Sequence, residues 1–460
     1  MADRSTSALR AGLIVFLALL GTACGGGGGG GSEPTTSRAP APVVPPAPVP
    51  GPDPVPLPGT TVELSGSVGD GPITDATVTI RAADFRLLGS TRSSATGDYS
   101  FTFEVQPEDF PLRLQAAGGT DLVTAAAPDF VLVSAIASIP DSGTVNLNPF
   151  TTLQTRIAEQ SPGGLNDINL TVARSVVFTA AGFGLDESVM ADPRTTPVTD
   201  ANAAALLRAS EAAGETLRRV RDSMNAAGGS LTADQVIVAL AADLVDGVID
   251  GRGAPDSDAR IAAVATVASA TVMLETMTNQ LTVNGAPALP AMEAALTTIR
   301  PSASQRIADV PMTDDGLGQV QTAIAAASAT TDSTTLTDTL DTLLLMETEP
   351  TVILSAETMT AEATKELSAS TMTVASAPDA ELETVNDTSR KGRPPKPGKG
   401  NSGAAYFEAS TIRSGEGESV QLWIARTRDT DTLTVDISPV GGTASGPDDF
   451  ELSASRMSFA

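Results

Sequence analysis

The stretch VELSGSVGDGPITDATVTI, residues 62–80, decides the architecture of the first folded part of the chain. Apolar and polar residues alternate on both sides of its central turn, and the alternation returns in ATGDYSFTF, residues 95–103. A period of two gives each strand one apolar face, and the Gly, Pro and Asp residues between the runs favour tight turns. We therefore predict a half-buried antiparallel β-sandwich over residues 61–147.

The turn and core residues of this stretch carry a family resemblance. They are Gly66-x-Val68, Gly71-Pro72-Ile73, Asp75-Ala76-x-Val78 and Thr96-Gly97-x-Tyr99-x-Phe101. In this pattern the region resembles the carboxypeptidase regulatory-like domain. The resemblance implies a prealbumin-like sandwich, grouped with carbohydrate-binding-like folds, and names a glycan as one ligand class. None of the matched residues is a catalytic group, so the resemblance implies no peptidase activity.

Beyond residue 147 the apolar residues recur every three or four positions, which indicates helices. The segment NPFTTL, residues 148–153, resembles the N-P-[LF]-T-T-L start of helical regions that follow such sandwiches in bacterial surface lipoproteins. Pro149 suits the first turn of a helix, where its missing N–H has no partner to lose. The first helix is therefore predicted to begin here.

Further helices follow from apolar stripes and capping patterns. One stripe comprises Leu206, Ala209, Ala213, Leu217, Val220 and Met224. Thr232 and Gln235 form a capping-box pattern that opens a run to Val245, which Gly247 can close. Other helices are expected at residues 258–281, 290–300, 316–329 and 334–346. Residues 148–346 should therefore form a compact α-helical bundle.

Three aspartates near the end of one predicted helix, Asp243, Asp246 and Asp250, suggest a calcium-binding loop. Asp246 and Asp250 fall on the first and fifth ligand positions if Gly251 is set at the sixth. The third and twelfth positions are then Val248 and Ser257, so most of the ligand set is missing. We interpret Asp243 to Gly251 as a helix end with acidic turn residues.

Residues 347–403 are interpreted as a second connector. Thr351–Leu354 and Ser370–Val374 are candidate edge strands within it. The basic, proline-rich run from Arg390 to Lys396 is expected to be a solvated hinge.

The period of two returns from Ala404. Two runs stand in a set order, Glu416-Gly417-x-x-Val420-x-Leu422-x-Ile424-x-Arg426 and then Gly442-Thr443-Ala444 followed by Asp449-Phe450. In order and spacing they resemble the Calx-β domain, a β-sandwich of sodium–calcium exchangers and bacterial surface proteins. We expect residues 404–460 to be a partial Calx-β sandwich and the natural protein to continue beyond Ala460.

The Calx-β resemblance implies calcium as the candidate cofactor. In calcium-binding members, the positions of Glu416 and Asp449 supply oxygen ligands, and Asp448 is a further candidate. Calcium takes six to eight oxygens, so these carboxylates make only part of a site. The alternative is that they form turns in a sandwich without an ion.

The N-terminus predicts export. Arg4 and Arg10 precede or flank the short apolar run Ala11–Leu20, and Gly21-Thr22-Ala23 leads to Cys24, the only cysteine. The run is too short for a permanent membrane span. The segment resembles a bacterial lipoprotein signal whose cysteine is lipidated, although Gly21 stands where the usual leucine would be. The alternative is ordinary secretion with cleavage at the same bond.

The predicted leader is therefore residues 1–23, and residues 24–60 should form a lipid anchor and a disordered Gly- and Pro-rich tether. Seven glycines are followed by PAPVVPPAPVPGPDPVPLPG, which favours extended polyproline II. The protein would reach the membrane through its lipid, at the outer membrane or cell surface.

Composition excludes several classes of function. Lys and Arg total 28 against 55 Asp and Glu, a net charge of −27, which opposes binding to nucleic acid. The chain has no histidine, so a Ser-His-Asp triad, a Cys-His pair and the usual zinc sites cannot form. One Trp and two Tyr give little surface for stacking sugar rings. We expect no enzymatic activity.

The sequence thus predicts a multidomain α+β protein: N-terminal sandwich, central helical bundle, partial C-terminal Calx-β sandwich and disordered linkers. The expected function is non-catalytic adhesion, ligand binding or display on the cell envelope, with an extracellular protein or glycan as ligand. One alternative is the accessory N-terminal region of a larger secreted hydrolase. Another is an envelope scaffold that binds protein partners through the helical region.

Overall fold

The computed structural model describes residues 59–69, 71–185 and 187–331, positions within 335–343, residues 351–352 and 361–392, and four short strands between 405 and 459. All of them belong to one unit, Pro58–Ala460. The predicted leader and Cys24 lie outside the described residues, as do most of the tether and Glu416, Asp448 and Asp449.

The N-terminal region of the structure is built from antiparallel strands. They are β1 Thr60–Ser67, β2 Ile73–Thr74, β3 Thr77–Arg81, β4 Leu87–Arg92, β5 Asp98–Val105, β6 Leu112–Ala117, β7 Thr120–Asp121 and β8 Leu132–Ile136. β1 pairs with β5, β2 with β7, and a four-stranded sheet has the order β4-β3-β6-β8. The strands predicted from alternation near residues 62–68, 76–80 and 99–103 are confirmed.

The inward face of each strand supplies the core, as the period of two requires. Leu64 of β1, Val78 and Ile80 of β3, and Leu112 and Leu114 of β6 are fully buried. The N-terminal region therefore has the layered, sandwich-like arrangement that half-buried strands favour.

The segment from Gly143 to Leu147 runs parallel to β1 and leads into the helices. Val145 N donates to Ser65 O at 2.8 Å, and Leu147 N donates to Ser67 O at 2.8 Å. Gly66 permits the approach, because a Cβ on it would lie 2.0 Å from Val145 O. We call Gly143–Asn148 the junction segment, since it joins the sheets to the helical region.

Helices make up most of the described chain after residue 148. They are α1 Pro149–Gln160, α2 Asp167–Ala181, α3 Ala203–Ala226, α4 Ala233–Asp243, α5 Ala259–Met277, α6 Leu289–Ile299, α7 Asp314–Thr331, α8 Ala361–Ala375 and α9 Asp379–Gly392. Short strand pairs join β9 Thr282–Val283 to β10 Ala286–Pro287 and β11 Met312–Thr313 to β12 Thr351–Val352. The α+β character of the chain is confirmed.

The predicted helix starts have the expected capping geometry. Thr151 N donates to Asn148 Oδ1 at 2.9 Å, Asn148 N donates to Thr151 Oγ1 at 2.9 Å, and Pro149 occupies the first turn of α1. Thr232 and Gln235 form a reciprocal capping box on α4. A 3-10 turn, Leu244–Asp246, continues α4 and ends at Gly247 in the left-handed conformation, as predicted.

The sheets and helices share one continuous hydrophobic core. α5 lies within it. Among the described residues, α5 is the helix long and apolar enough to span a membrane, but most of its length is buried inside the protein. Its length and composition therefore fit a core helix.

Residues 361–392 differ from what the sequence suggested. The strand predicted over Ser370–Val374 is wrong, because these residues belong to α8. Ala363, Leu367, Thr371 and Val374 are buried at helical spacing, a pattern that a five-residue window of β-branched residues conceals. The strand predicted at Thr351–Leu354 is present at Thr351–Val352, and its remainder lies outside the described residues.

The helices α8 and α9 pack on α5 within the stretch interpreted as a connector. Arg260 NH1 of α5 donates to Ala375 O at 2.9 Å, and its NH2 bonds to Asp379. Asn386 Nδ2 of α9 donates to Ala259 O at 2.9 Å. These helices are therefore part of the core. The start of the predicted hinge, Arg390 to Gly392, is helical, and the rest of the hinge lies outside the described residues.

Replacing Asn148 with Ala should lower the free energy of unfolding by about 1–2 kcal/mol, because the buried amide of Thr151 loses its acceptor. Asn166→Ala is the matched control, since Asn166 caps α2 through Asn169 N but is partly exposed to water. It should cost less than Asn148→Ala. Urea denaturation of both variants measures the difference, and equal losses would contradict the role given to the buried cap.

Candidate functional site

The four predicted site residues, Cys24, Glu416, Asp448 and Asp449, lie outside the described residues and stay predictions. In the predicted Calx-β region it describes β13 Ala405–Phe407 paired with β14 Ile424–Arg426, and β15 Leu433–Asp436 paired with β16 Arg456–Phe459. Both pairs are antiparallel.

Helix α3 carries a row of buried charges that the sequence analysis missed. Glu211 is 0% exposed, Arg218 is 3% exposed, and Glu215 and Arg219 lie beside them. At about 100° per residue these side chains share one face of α3, opposite the predicted apolar stripe. That spacing is a signal in the sequence, but charged residues opposite an apolar stripe usually indicate a solvated face.

These side chains form an ion-pair chain from the sheet region to α5. Arg218 Nε donates to Glu215 Oε2 at 2.9 Å, and Arg218 NH2 lies 3.4 Å from Glu211 Oε2. Arg219 Nε donates to Glu215 Oε1 at 2.8 Å, and its two terminal nitrogens reach Glu275 at 2.9 and 2.6 Å. Glutamates and arginines thus alternate along the chain.

Desolvation and pairing act in opposite directions on Arg219. Burial lowers the pKa of this guanidinium, but the hydrogen bonds and charges of Glu275 and Glu215 outweigh burial and raise the pKa overall. Arg219 therefore stays charged. Arg219 donates hydrogen bonds to both Glu215 and Glu275, which is the arrangement of a structural ion-pair network.

Two carboxylates surround Gly71 where the sheet region meets α3. A Cβ on Gly71 would lie 2.3 Å from Asp121 Oδ1 and 2.6 Å from Glu211 Oε1. Asp121 Oδ1 accepts from Val123 N at 2.8 Å, and its Oδ2 accepts from Thr124 Oγ1 at 2.7 Å. A side chain on Gly71 would therefore displace these two carboxylates.

A small cleft lies beside this contact, between the sheets and the helices. Arg300, next to α6, donates to both carboxylate oxygens of Asp98 at 3.2 and 3.1 Å. This ion pair joins the helical side of the cleft to its sheet side. The cleft has a volume of about 40 Å³. Sites for organic ligands typically measure roughly 300–1,000 Å³, so this cleft has room for water and little more.

Asp243, the last residue of α4, carries a buried carboxyl group. It is 1% exposed, and its Oδ1 accepts from Arg252 N at 2.9 Å. Burial raises its pKa to about 7, and the charges of Asp250 and Asp246 add to the effect of burial. Within the part of the chain that the structure describes, no group of three or more Asp, Glu, His or Cys residues could hold a metal ion. α4 ends at Asp243 and the 3-10 turn Leu244–Asp246 follows it, so a helix does end in this stretch.

Comparison with known proteins leaves these features to be interpreted from their own chemistry. No protein-family model, curated protein or solved structure matches the chain. Function must therefore be inferred from the leader, the sequence motifs and the geometry above.

Asp243→Asn should change the pH dependence of stability. The pKa of an unfolded Asp is about 3.9, against about 7 in the fold, so the native state binds more protons between these values. The contribution of Asp243 to stability is therefore present below about pH 4 and lost as the pH rises through 7. The variant should melt a few °C above the parent protein at pH 8, and the gap should shrink toward pH 4.

Melting curves recorded from pH 4 to pH 8 measure this gap. Asp256→Asn, at an exposed position of the same loop, is the matched control and should follow the parent protein at each pH. A constant difference between Asp243→Asn and the parent protein across the range would refute the assignment.

Proposed function

We propose that the protein is a non-catalytic lipoprotein of the bacterial cell envelope. Its role is adhesion, ligand binding or display at the outer membrane or cell surface. The observation that carries this proposal is the leader: an Arg-flanked apolar run and three small residues that end at Cys24, the only cysteine. Lipidation of Cys24 would make the membrane its first partner.

The N-terminal region is proposed to be a carboxypeptidase regulatory-like domain. The positions of several matched residues support this proposal. Val78 and Tyr99 are buried in the core, and Gly97 adopts a left-handed φ of 74° in the turn before β5. The two-stranded and four-stranded antiparallel sheets also agree with a prealbumin-like sandwich.

The buried charges of the described body favour a structural or binding role. Glu215, Arg218, Arg219 and Glu275 are engaged with one another between helices, as in an ion-pair network that fixes helix positions. We infer a rigid body that carries its ligand contacts on the outer surface. The ligand class is an extracellular protein or glycan.

An envelope scaffold is a second candidate function. Ile168 and Val172 stand one turn apart on α2 and are 75% and 53% exposed. Apolar side chains exposed next to each other favour contact with a protein partner. A pull-down with the parent protein and with Ile168→Ser/Val172→Ser would test this candidate.

Residues 404–460 are proposed to be a partial Calx-β domain with calcium as its cofactor. Glu416 and Asp449 would supply carboxylate ligands, with Asp448 as a further one. The order of the two motifs supports this proposal, and so does the antiparallel pairing of β13 with β14 and of β15 with β16.

Lipidation predicts the mass of the mature protein. Protein extracted from membranes should be heavier than residues 24–460 by a diacylglycerol and an acyl chain. Cys24→Ser should lose this added mass and leave the membrane fraction. Intact mass spectrometry measures both, and a mature mass equal to the bare chain would mean simple secretion.

Calcium binding predicts heat on titration. Calorimetry with calcium, on a chain that carries the complete Calx-β sandwich, should give a dissociation constant of about 10⁻⁴–10⁻³ M, the range of extracellular modules. Glu416→Gln/Asp449→Asn should abolish the heat, because both variants keep side-chain size but lose charge. Asp436→Asn on β15 is the control. The absence of heat from the complete sandwich would refute the calcium site.

A further inference from the structure

The β3–β4 hairpin exposes two large apolar side chains at its tip. Phe85 is 62% exposed and Leu87 is 52% exposed, whereas most large apolar side chains of the described sheets are buried. Phe85 also has a left-handed φ of 66°, which bulky residues rarely adopt. An exposed aromatic residue in a strained conformation indicates a functional constraint at the tip.

The tip is held rigidly in this conformation. Phe85 N donates to Ala82 O at 2.9 Å, and Arg81 NH1 donates to Phe85 O at 2.9 Å. The Arg113 guanidinium lies 4.8 Å from the centroid of the Phe85 ring, within the range of a cation–π contact. Phe85 is therefore fixed in place before it meets any partner.

The strand register locates this tip at the end of the sheets where the chain enters them. Thr60, the first residue of β1, pairs with Val105, the last residue of β5, and Gly59 packs against Val105. The turn that follows, Pro107–Asp109, contacts the hairpin. Ala83 N donates to Asp109 O at 2.8 Å, and Arg86 pairs with the Asp109 carboxylate.

Residues 1–58 thus join the fold beside Phe85 and Leu87. At about 3.3–3.6 Å per residue, residues 24–58 can reach on the order of 100 Å from Cys24. A lipid on Cys24 would therefore keep this end of the sheets within on the order of 100 Å of the bilayer surface. The exposed apolar tip and the attachment point of the tether share one end of the molecule.

We propose that Phe85 and Leu87 form a membrane-contact tip that enters the interface of the bilayer to which Cys24 is anchored. This inference rests on the proposed lipid anchor. Contact at the tip would orient the body, so that the sheets stand on the membrane at their Thr60 end. The chemistry that recognises the bilayer is apolar burial at the boundary between headgroups and acyl chains.

Charge does not drive this contact. Two of the three arginines around the tip have acidic neighbours: Arg86 pairs with Asp84 and Asp109, and Arg113 pairs with Glu159 at 3.0 Å. The third, Arg81, donates to the backbone carbonyl of Phe85. Binding should therefore need no anionic lipid and should resist salt. Two apolar side chains alone give only weak affinity, but a tether supplies an effective concentration in the millimolar range.

The test uses the chain from Cys24 to Ala460, coupled through its only cysteine to maleimide-bearing phosphatidylcholine vesicles. Phe85→Trp is made in a Trp423→Phe background, which leaves one tryptophan, a residue suited to the membrane interface. Ile168→Trp, at the exposed apolar position on α2, is the matched control. Brominated acyl chains quench tryptophan that enters the bilayer.

Coupling should blue-shift the emission of Phe85→Trp and about double its quenching by brominated lipid, at low and high salt alike, with no change for Ile168→Trp. Adding Leu87→Ser should reduce the quenching. Unchanged emission after verified coupling would overturn the proposal. A blue shift without quenching, which means contact with a second copy, would overturn it as well. Quenching only with anionic lipid would show that arginines, and not the apolar tip, bind the membrane.

Because coupling replaces lipidation, the two ideas fail separately. A mature mass in cells equal to that of residues 24–460 would refute the proposed anchor, and the quenching of Phe85→Trp on coupled vesicles would still support the membrane-contact tip. Absence of quenching on coupled vesicles would remove the membrane-contact tip while lipidation of Cys24 stood.

Discussion

The contact between the junction segment and β1 is the constraint on which the rest of the structure depends. Val145 accepts the Tyr99 hydroxyl at 2.5 Å through its carbonyl and pairs with Ser65 through its amide. Gly66 makes room for it, because any side chain there would overlap Val145 O. Three residues later Asn148 caps α1, so the position of the sheet fixes where the helices start and in which direction they run.

The buried charges of α3 specify how the helices pack around that start. Apolar residues could fill the same space with equal or greater stability, since removing charge from water is costly. A paired network, however, tolerates few alternative arrangements. Arg219 must face Glu215 and Glu275 together, which ties α3 to α5 in one register. We infer that the network contributes specificity of packing more than net stability.

Local signals in the sequence predicted much of the fold, whereas features that depend on tertiary contacts were not predicted. Period-two runs predicted β1, β3 and β5, and the Thr232–Gln235 capping box predicted α4, because each depends on neighbouring residues. The strand prediction for Ser370–Val374 failed because the helical spacing of the residues buried against α5 is visible only over the whole of α8. The burial of the α3 charges and the exposure of Phe85 depend on which elements pack against each other, which the local sequence does not indicate. Cys24 and the predicted calcium ligands stay predictions.

If the chain is exported as proposed, helix α5 has a consequence for its biogenesis. An unfolded polypeptide in transit presents this apolar segment to the translocation channel and to lipid before any other helix can cover it. Stalling there would leave a stop-transfer anchor in place of a core helix. Glu275 opposes this outcome, because a carboxylate without Arg219 beside it partitions poorly into hydrocarbon. Under the proposed export, the side chain that pairs with Arg219 in the folded protein would also oppose arrest of this segment in the membrane.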